Sequence, residues 1–405
     1  MSLRSIFTGI AVVALTLVDV KAAELYVAAR ARPAGDGSQQ APFQSLMQVR
    51  DAIRAFRKNG SLAVGESVTV HVGPGVYRLE TSFKLTAQDG GTAEGPVVYR
   101  AQEPGKTRIR GGVSLNPTGF LAVSDPQVLS RLSPDARGKV LVCDLSAAIP
   151  GAIPALKSSW RGMPAAPWLY VGQQPMHLAR WPNLDAADGG WARFSKAIDK
   201  GVADPKATDP ARRNARPGSF EFRDPRPARW NMEEGVWLFG YWTHDWSDQV
   251  IRMASYDKTT HAIGLAAPHH YGIANGTWGE KKRRFFAFNT LDELDAPGEW
   301  YLDRARKRLY FYPEAELENA EIVLATLTQP LLTVSGATHI KFVGLTLEYS
   351  HGPGIILQRT EHVEVAGSEV SNLAGLGVMV SGTNNTIRSC ELYNLGTSGI
   401  SMNGG

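Results

Sequence analysis

The chain has 405 residues, with 41 glycines, 24 prolines, 43% hydrophobic and 20% charged residues, and a formal net charge of +4. The ordinary apolar fraction excludes a disordered chain, and so small a charge leaves no electrostatic footprint for nucleic acid. This length normally builds two or more structural units, two cysteines cannot make a disulfide scaffold, and the excess of Gly and Pro favours many short strands over long helices.

The first segment has the form of an export signal. Arg4 precedes an apolar run from Ile6 to Val18, and Val20-Lys21-Ala22-Ala23 follows. A basic start, a short apolar stretch and small residues at the cut describe a cleavable signal, and the run falls short of the roughly 20 residues that span a bilayer. Residues 1–22 are therefore expected to be removed, with cleavage after Ala22 and Ala23 the near alternative. The mature protein is expected to be secreted or periplasmic, without a membrane span; the competing reading is a retained N-terminal anchor. No cysteine precedes Cys143, which excludes a lipoprotein anchor at this cut. Cys143 and Cys390 each sit in strand-like runs and are expected to stay unpaired.

Residues 23–112 read as a helix among strands. Leu25-Tyr26-Val27 is strand-like, Gly35-Asp36-Gly37-Ser38 a turn, and Leu46, Val49, Ile53 and Phe56 recur at helical spacing. Strand runs follow at Val68–Val72, Phe83–Leu85 and Val97–Arg100. A helix laid over the first coil of a stacked sheet would protect its open end.

The periodicity stops between residues 113 and 325. All ten tryptophans lie between Trp160 and Trp300, a composition shift that marks an inserted domain. Gly235–Trp242, Val250–Met253, Phe285–Phe288 and the pair Trp300–Leu302 and Leu309–Tyr312 predict an antiparallel, sandwich-like unit.

Residues 326–405 repeat. Gly354-Ile355, Gly377-Val378 and Gly399-Ile400 recur in steps of 23 and 22 residues, with two further short β runs in each period. Asn372 and Asn394 each precede the next junction by six residues, where side-chain amides can stack in a column. Short strands with glycine corners at this period predict a solenoid whose turns bury their apolar sides against each other. The fold expected is all-β: a right-handed parallel β-helix interrupted by an antiparallel β-sandwich-like insertion.

These residues also carry a resemblance. Gly35-Asp36-Gly37-Ser38, Ala41-Pro42-Phe43-Gln44-Ser45-Leu46 and Gly75-Val76-Tyr77 are similar to pectin-lyase-fold proteins. Ala179-Arg180-Trp181-Pro182-Asn183, the run from Asn289 to Asp303, and Leu309-Tyr310-Phe311-Tyr312-Pro313 resemble the insertion domain of glycoside hydrolase family 141. The resemblance covers essentially the whole mature chain and implies an exported enzyme acting on polysaccharide, with fucosidase and xylanase activities in the family. It also implies acids on coils well downstream of the insertion. The chain stops at Gly404-Gly405, barely into the coil that opens at Ile400, so an incomplete C-terminal side is expected; the alternative is a short protein capped by a partner.

Glycoside hydrolysis usually needs two carboxylates, about 5–5.5 Å apart for retention or about 6.5–9.5 Å for inversion. From Leu331 onward there is no Asp, only Glu348, Glu361, Glu364, Glu369 and Glu391, of which Glu369 and Glu391 are spaced to stack on adjacent coils. The missing Asp also weakens a calcium-dependent lyase. His269-His270 lacks the spacing of a metal site, so neither metal nor cofactor is expected. The best binding candidate is Trp242, His244, Asp245 and Trp246, where rings suited to sugar C–H faces alternate with polar groups. In a strand, Trp242, His244 and Trp246 would share one face. Glu293, Asp295, Glu299 and Asp303 lie in a turn and hairpin, where carboxylates commonly cap amides. The stretch Arg212, Arg213, Arg216, Arg223, Arg226 and Arg229 and the run Lys281–Arg284 read as solvated loops, with an acidic polysaccharide the sharper option for the first. The function expected is a polysaccharide-active hydrolase of the β-helix type whose main acids are missing from this chain. A non-catalytic carbohydrate-binding or surface β-helix and a polysaccharide lyase stay open beside it.

Overall fold

The computed structural model describes residues 22–63, 65–160, 168–201, 208, 216–274 and 283–403. Residues 1–21 of the expected export signal (1–22), Arg212, Arg213, Lys281, Lys282 and Gly404-Gly405 lie outside them, so those expectations have no structural counterpart here.

Three parallel sheets wind around one core. The first joins Ala23–Val27, Val68–Val72, Val97–Ala101, Ile340–Val343, Glu364–Ala366 and Thr386–Arg388. The second joins Gly75–Arg78, Thr107–Arg110, Thr346–Ser350, Glu369–Leu373 and Glu391–Leu395, and the third Phe83–Thr86, Leu332–Ser335, Ile355–Glu361, Val378–Thr383 and Ile400–Asn403. Each period supplies one strand to each sheet, which makes a parallel β-helix. Alternate residues point inward, as the two-residue period of a strand requires: Val70, Tyr99, Phe342, Leu347, Val370, Val334 and Leu357 are all buried. The phenol of Tyr99 stacks on Phe342 of the next coil at 5.5 Å.

The corners recur with the strands. His339, His362 and Asn384 have φ of +52° to +54°, and Tyr349, Asn372 and Asn394 have φ of +49° to +55°. Such left-handed corners suit Asn, and two of them join the expected amide column: Asn394 Nδ2 donates to Asn372 Oδ1 at 3.0 Å. A helix, Leu46–Lys58, lies over the first coil. Its start is capped by Ser45, whose hydroxyl accepts from the Gln48 amide at 3.2 Å, and Leu46, Val49 and Ile53 enter the β-helix core.

The insertion leaves and returns at one point of the second sheet. Thr107–Arg110 pairs directly with Thr346–Ser350, Arg110 opposite Glu348, so the coil register runs unbroken past everything between. The outgoing strand Gly112–Leu115 and the incoming Ile322–Ala325 pair antiparallel to form the stem. Gly111 is needed there, because a Cβ would stand 2.9 Å from the Leu327 Cβ and the Ser350 hydroxyl. Beyond the stem, a nine-stranded antiparallel sheet carries its own aromatic core of Phe194, Phe220, Trp242 and Phe285. A five-stranded sheet holds Trp300–Phe311 pairing, and in it His177–Leu178 runs parallel to Glu299–Asp303, the one departure among the described pairs from the antiparallel expectation. Cys143 and Cys390 are both free thiols. No described helix is long and apolar enough to cross a membrane.

Candidate functional site

The expected strand through Trp242, His244 and Trp246 is not formed. The strand Trp237–Tyr241 ends one residue earlier, and the chain turns where the Ser247 amide donates to the His244 carbonyl at 3.2 Å. The turn separates the two tryptophans. Trp242 is only 1% exposed, packs on Phe220 and Phe285, and donates its indole N–H to the Gln249 carbonyl at 3.0 Å. It is core and cannot touch a ligand, because its whole ring is enclosed by the nine-stranded sheet.

His244, Asp245 and Trp246 are outside. Trp246 is 52% exposed and stacks on His244 with centroids 5.0 Å apart and planes within 7°. Tyr271, 37% exposed, meets both rings edge-on at 5.1 and 5.4 Å, and His270 closes on it at 4.7 Å. The result is a braced aromatic platform beside the exposed Asp245 carboxylate. Tyr271 gave no signal in the sequence, since its partners lie well upstream and a loop carries it to them. Its loop is anchored by His269, whose Nδ1 bonds the Gly272 carbonyl at 2.7 Å; burial pushes that imidazole down to about 4, so it is neutral at pH 7.

The carboxylates are mostly committed elsewhere. Glu348 is fully buried and bonds Arg110 Nη2 at 2.8 Å and Arg108 Nη2 at 2.9 Å, while Glu321 takes Arg110 Nη2 at 2.7 Å. Glu369 and Glu391 do stand opposite each other on adjacent strands, but Glu369 accepts from Tyr393 at 2.5 Å and from Ser371 at 2.9 Å. In the acidic run, Glu293 takes the Arg226 guanidinium and the Trp230 indole N–H, and Asp303 holds Arg306 at 3.0 Å. Glu299 caps a turn through the Asp295 and Ala296 amides, both at 3.1 Å. A polar cleft of about 590 Å³ in the insertion is lined by Arg131, Glu234, Tyr301 and Asp303, yet Glu234 is bound by Arg131 at 2.6 Å and by the Tyr301 hydroxyl at 2.8 Å.

The basic stretch is likewise paired: Arg216 with Asp199, Arg223 with Glu221, and Arg226 with Glu293 and Asp295. Among the described residues no group of three or more His, Cys, Asp or Glu is placed to hold a metal ion.

Residues 330–405 match the family described as right handed beta helix region. No curated protein matches the chain. A solved structure described as a glycoside hydrolase superposes with a TM-score of 0.64 at 14% identity, over 92% of this chain and 74% of that one. A complex of XylC with xylose aligns over 92% of this chain and 54% of that one, at 11% identity and a TM-score of 0.35. The tailspike protein gp49 from Pseudomonas phage LKA1 aligns at 9% identity over 84% of this chain and 39% of that one, with a TM-score of 0.15. The first likeness is one of fold: this chain is an all-β, right-handed parallel β-helix.

Proposed function

We propose that this is an exported carbohydrate-active β-helix protein of the glycoside hydrolase kind, similar to family 141, whose insertion binds an oligosaccharide or polysaccharide. The observation that carries the reading is the exposed stack of Trp246 on His244, edged by Tyr271. Rings held flat and open to water match the C–H faces of a sugar, while Asp245 offers directed hydrogen bonds to its hydroxyls. The test is Trp246→Ala, its fold checked by circular dichroism. Affinity for xylan- or fucose-containing oligosaccharides should fall about tenfold, or roughly 1.4 kcal/mol. Unchanged affinity removes the site.

The proposal places the proton-transferring acids outside residues 23–405. General acid catalysis needs a carboxyl protonated near working pH and within reach of the leaving oxygen. Glu348 and Glu369 of the second sheet and Glu234 of the insertion cleft are instead tied to arginines or hydroxyls. Residues 23–405 should therefore give no substantial turnover of xylan or fucosylated oligosaccharides in a reducing-sugar assay. Robust hydrolysis would locate the acids within this chain and overturn this part of the reading.

A further inference from the structure

The motif Ala179–Asn183 takes no part in the platform. Its Arg180 lines a second cleft, of about 210 Å³, between the hairpin Trp168–Pro175 and the nine-stranded sheet. The walls are apolar, with Trp168 and Phe286 part-exposed and Met176, Phe288 and Trp300 buried behind them, and Arg180 is the one formally charged residue on the lining. His177, on the exposed rim, joins it as a second polar group; partial desolvation of its ring, then the Arg180 charge, hold its imidazole below the usual range.

Arg180 is 8% exposed. Its Nε donates to the Pro182 carbonyl at 2.9 Å and its Nη2 to the Gly190 carbonyl, and the guanidinium lies 3.7 Å from the Phe286 ring centroid. Gly190 has φ of +74°, and a Cβ there would stand 3.0 Å from Nη2. The fork is thus fixed on three sides. Nη1 has no hydrogen-bond partner, and no carboxylate comes within 4.0 Å of the guanidinium among the described residues. Glu299 accepts from the Arg180 backbone amide at 3.2 Å, and its carboxylate acts on the guanidinium from beyond ion-pair distance. A buried cation without a counter-ion costs several kcal/mol, a cost usually relieved by pairing. Nothing on the described protein side of this cleft provides the pair.

We propose that the cleft binds one ring bearing a carboxylate, of the uronic acid class of sugars. The ring's C–H face lies on the part-exposed Trp168, the carboxylate takes the remaining Arg180 nitrogen, and His177 meets a hydroxyl. An aromatic carboxylic acid shares this chemistry and is the competing source. The site deepens the carbohydrate reading above but is built from residues separate from the platform, so the two can fail separately.

The test is a titration of the whole protein with glucuronate, glucose and cinnamate, followed by tryptophan fluorescence, since Trp168 and Trp300 line the cleft. Glucuronate should bind at least tenfold tighter than glucose and weaken as salt is raised. Binding should be lost in Arg180→Met, recovered poorly in Arg180→Lys, which lacks the planar fork, and unaffected by Trp246→Ala. The wild-type preference and its salt dependence decide the matter even where the Arg180 variants do not fold. Equal binding of glucose and glucuronate, or saturation by neither, overturns the proposal. Cinnamate binding tighter than glucuronate overturns the sugar assignment.

Discussion

Glu299 joins the two motifs that set the insertion apart. It is 4% exposed and accepts three backbone N–H groups, from Arg180, Asp295 and Ala296. Those donors favour the carboxylate, but burial outweighs them and pushes the acid up to about 8 from its ordinary 4.5. The folded protein therefore keeps a proton that the unfolded chain releases between about pH 4.5 and 8. Stability from this group is greatest below that window and falls as pH rises through it, by at most about 1.4 kcal/mol per pH unit. Glu299→Gln removes the slope. Urea unfolding of both proteins at pH 5, 6.5 and 8 should show the wild type losing ground to the variant as pH rises. A constant difference would mean that Glu299 folds as the carboxylate.

At the scale of elements, the repeats are legible because solenoid periodicity is local and repeated, while several left-handed corners fall on His, Tyr and Asn rather than on the expected glycines. Ile340 and Phe342, Val363 and Val365 align by simple spacing, and the helix beginning at Leu46 shows its apolar stripe at helical spacing, whereas the Ser45 cap emerges only in the structure. The turn after Tyr241 was misread for a physical reason. Alternating aromatic and polar residues satisfy a strand pattern, yet the indole of Trp242 finds its partner by folding back to Gln249, which the pattern does not encode. The second cleft was illegible for another reason. Trp168, Arg180, Phe286 and Trp300 come from four separate segments, brought together by the pairing of Leu178 with Trp300, of Arg180 with Phe288 and of Met176 with Leu169. The motif containing Arg180 was visible, but its missing counter-ion is a property of the packed structure alone.

At the scale of the whole molecule, a charge cluster lies where the insertion meets the β-helix. Arg110, 2% exposed, and Arg108 share Glu348 of the β-helix and Glu321 at the foot of the returning strand, while Arg110 also lies 4.8 Å from the ring centroid of Tyr349. Tyr349 in turn donates its hydroxyl to the Gly172 carbonyl of the insertion hairpin at 2.8 Å. Glu348→Gln leaves the Arg110 guanidinium buried with a weakened partner, and a cost approaching the 3–5 kcal/mol of a broken buried pair is expected. Thermal melts of the variant should show the loss; an unchanged midpoint would mean that Glu321 alone neutralises both arginines.

The stem has a consequence for how such a protein can change. Gly112 and Ala325 are opposite partners in an antiparallel pair, as near to each other as the two arms of a hairpin. To the β-helix, everything beyond that pair is topologically a loop, since Arg110 and Glu348 are already neighbours without it. The entropy of closing a loop grows only slowly with its length, about 0.6 kcal/mol for each doubling. The stem therefore acts as a socket: one inserted unit can be exchanged for another, or for a two-residue turn, while the coils above and below keep their register.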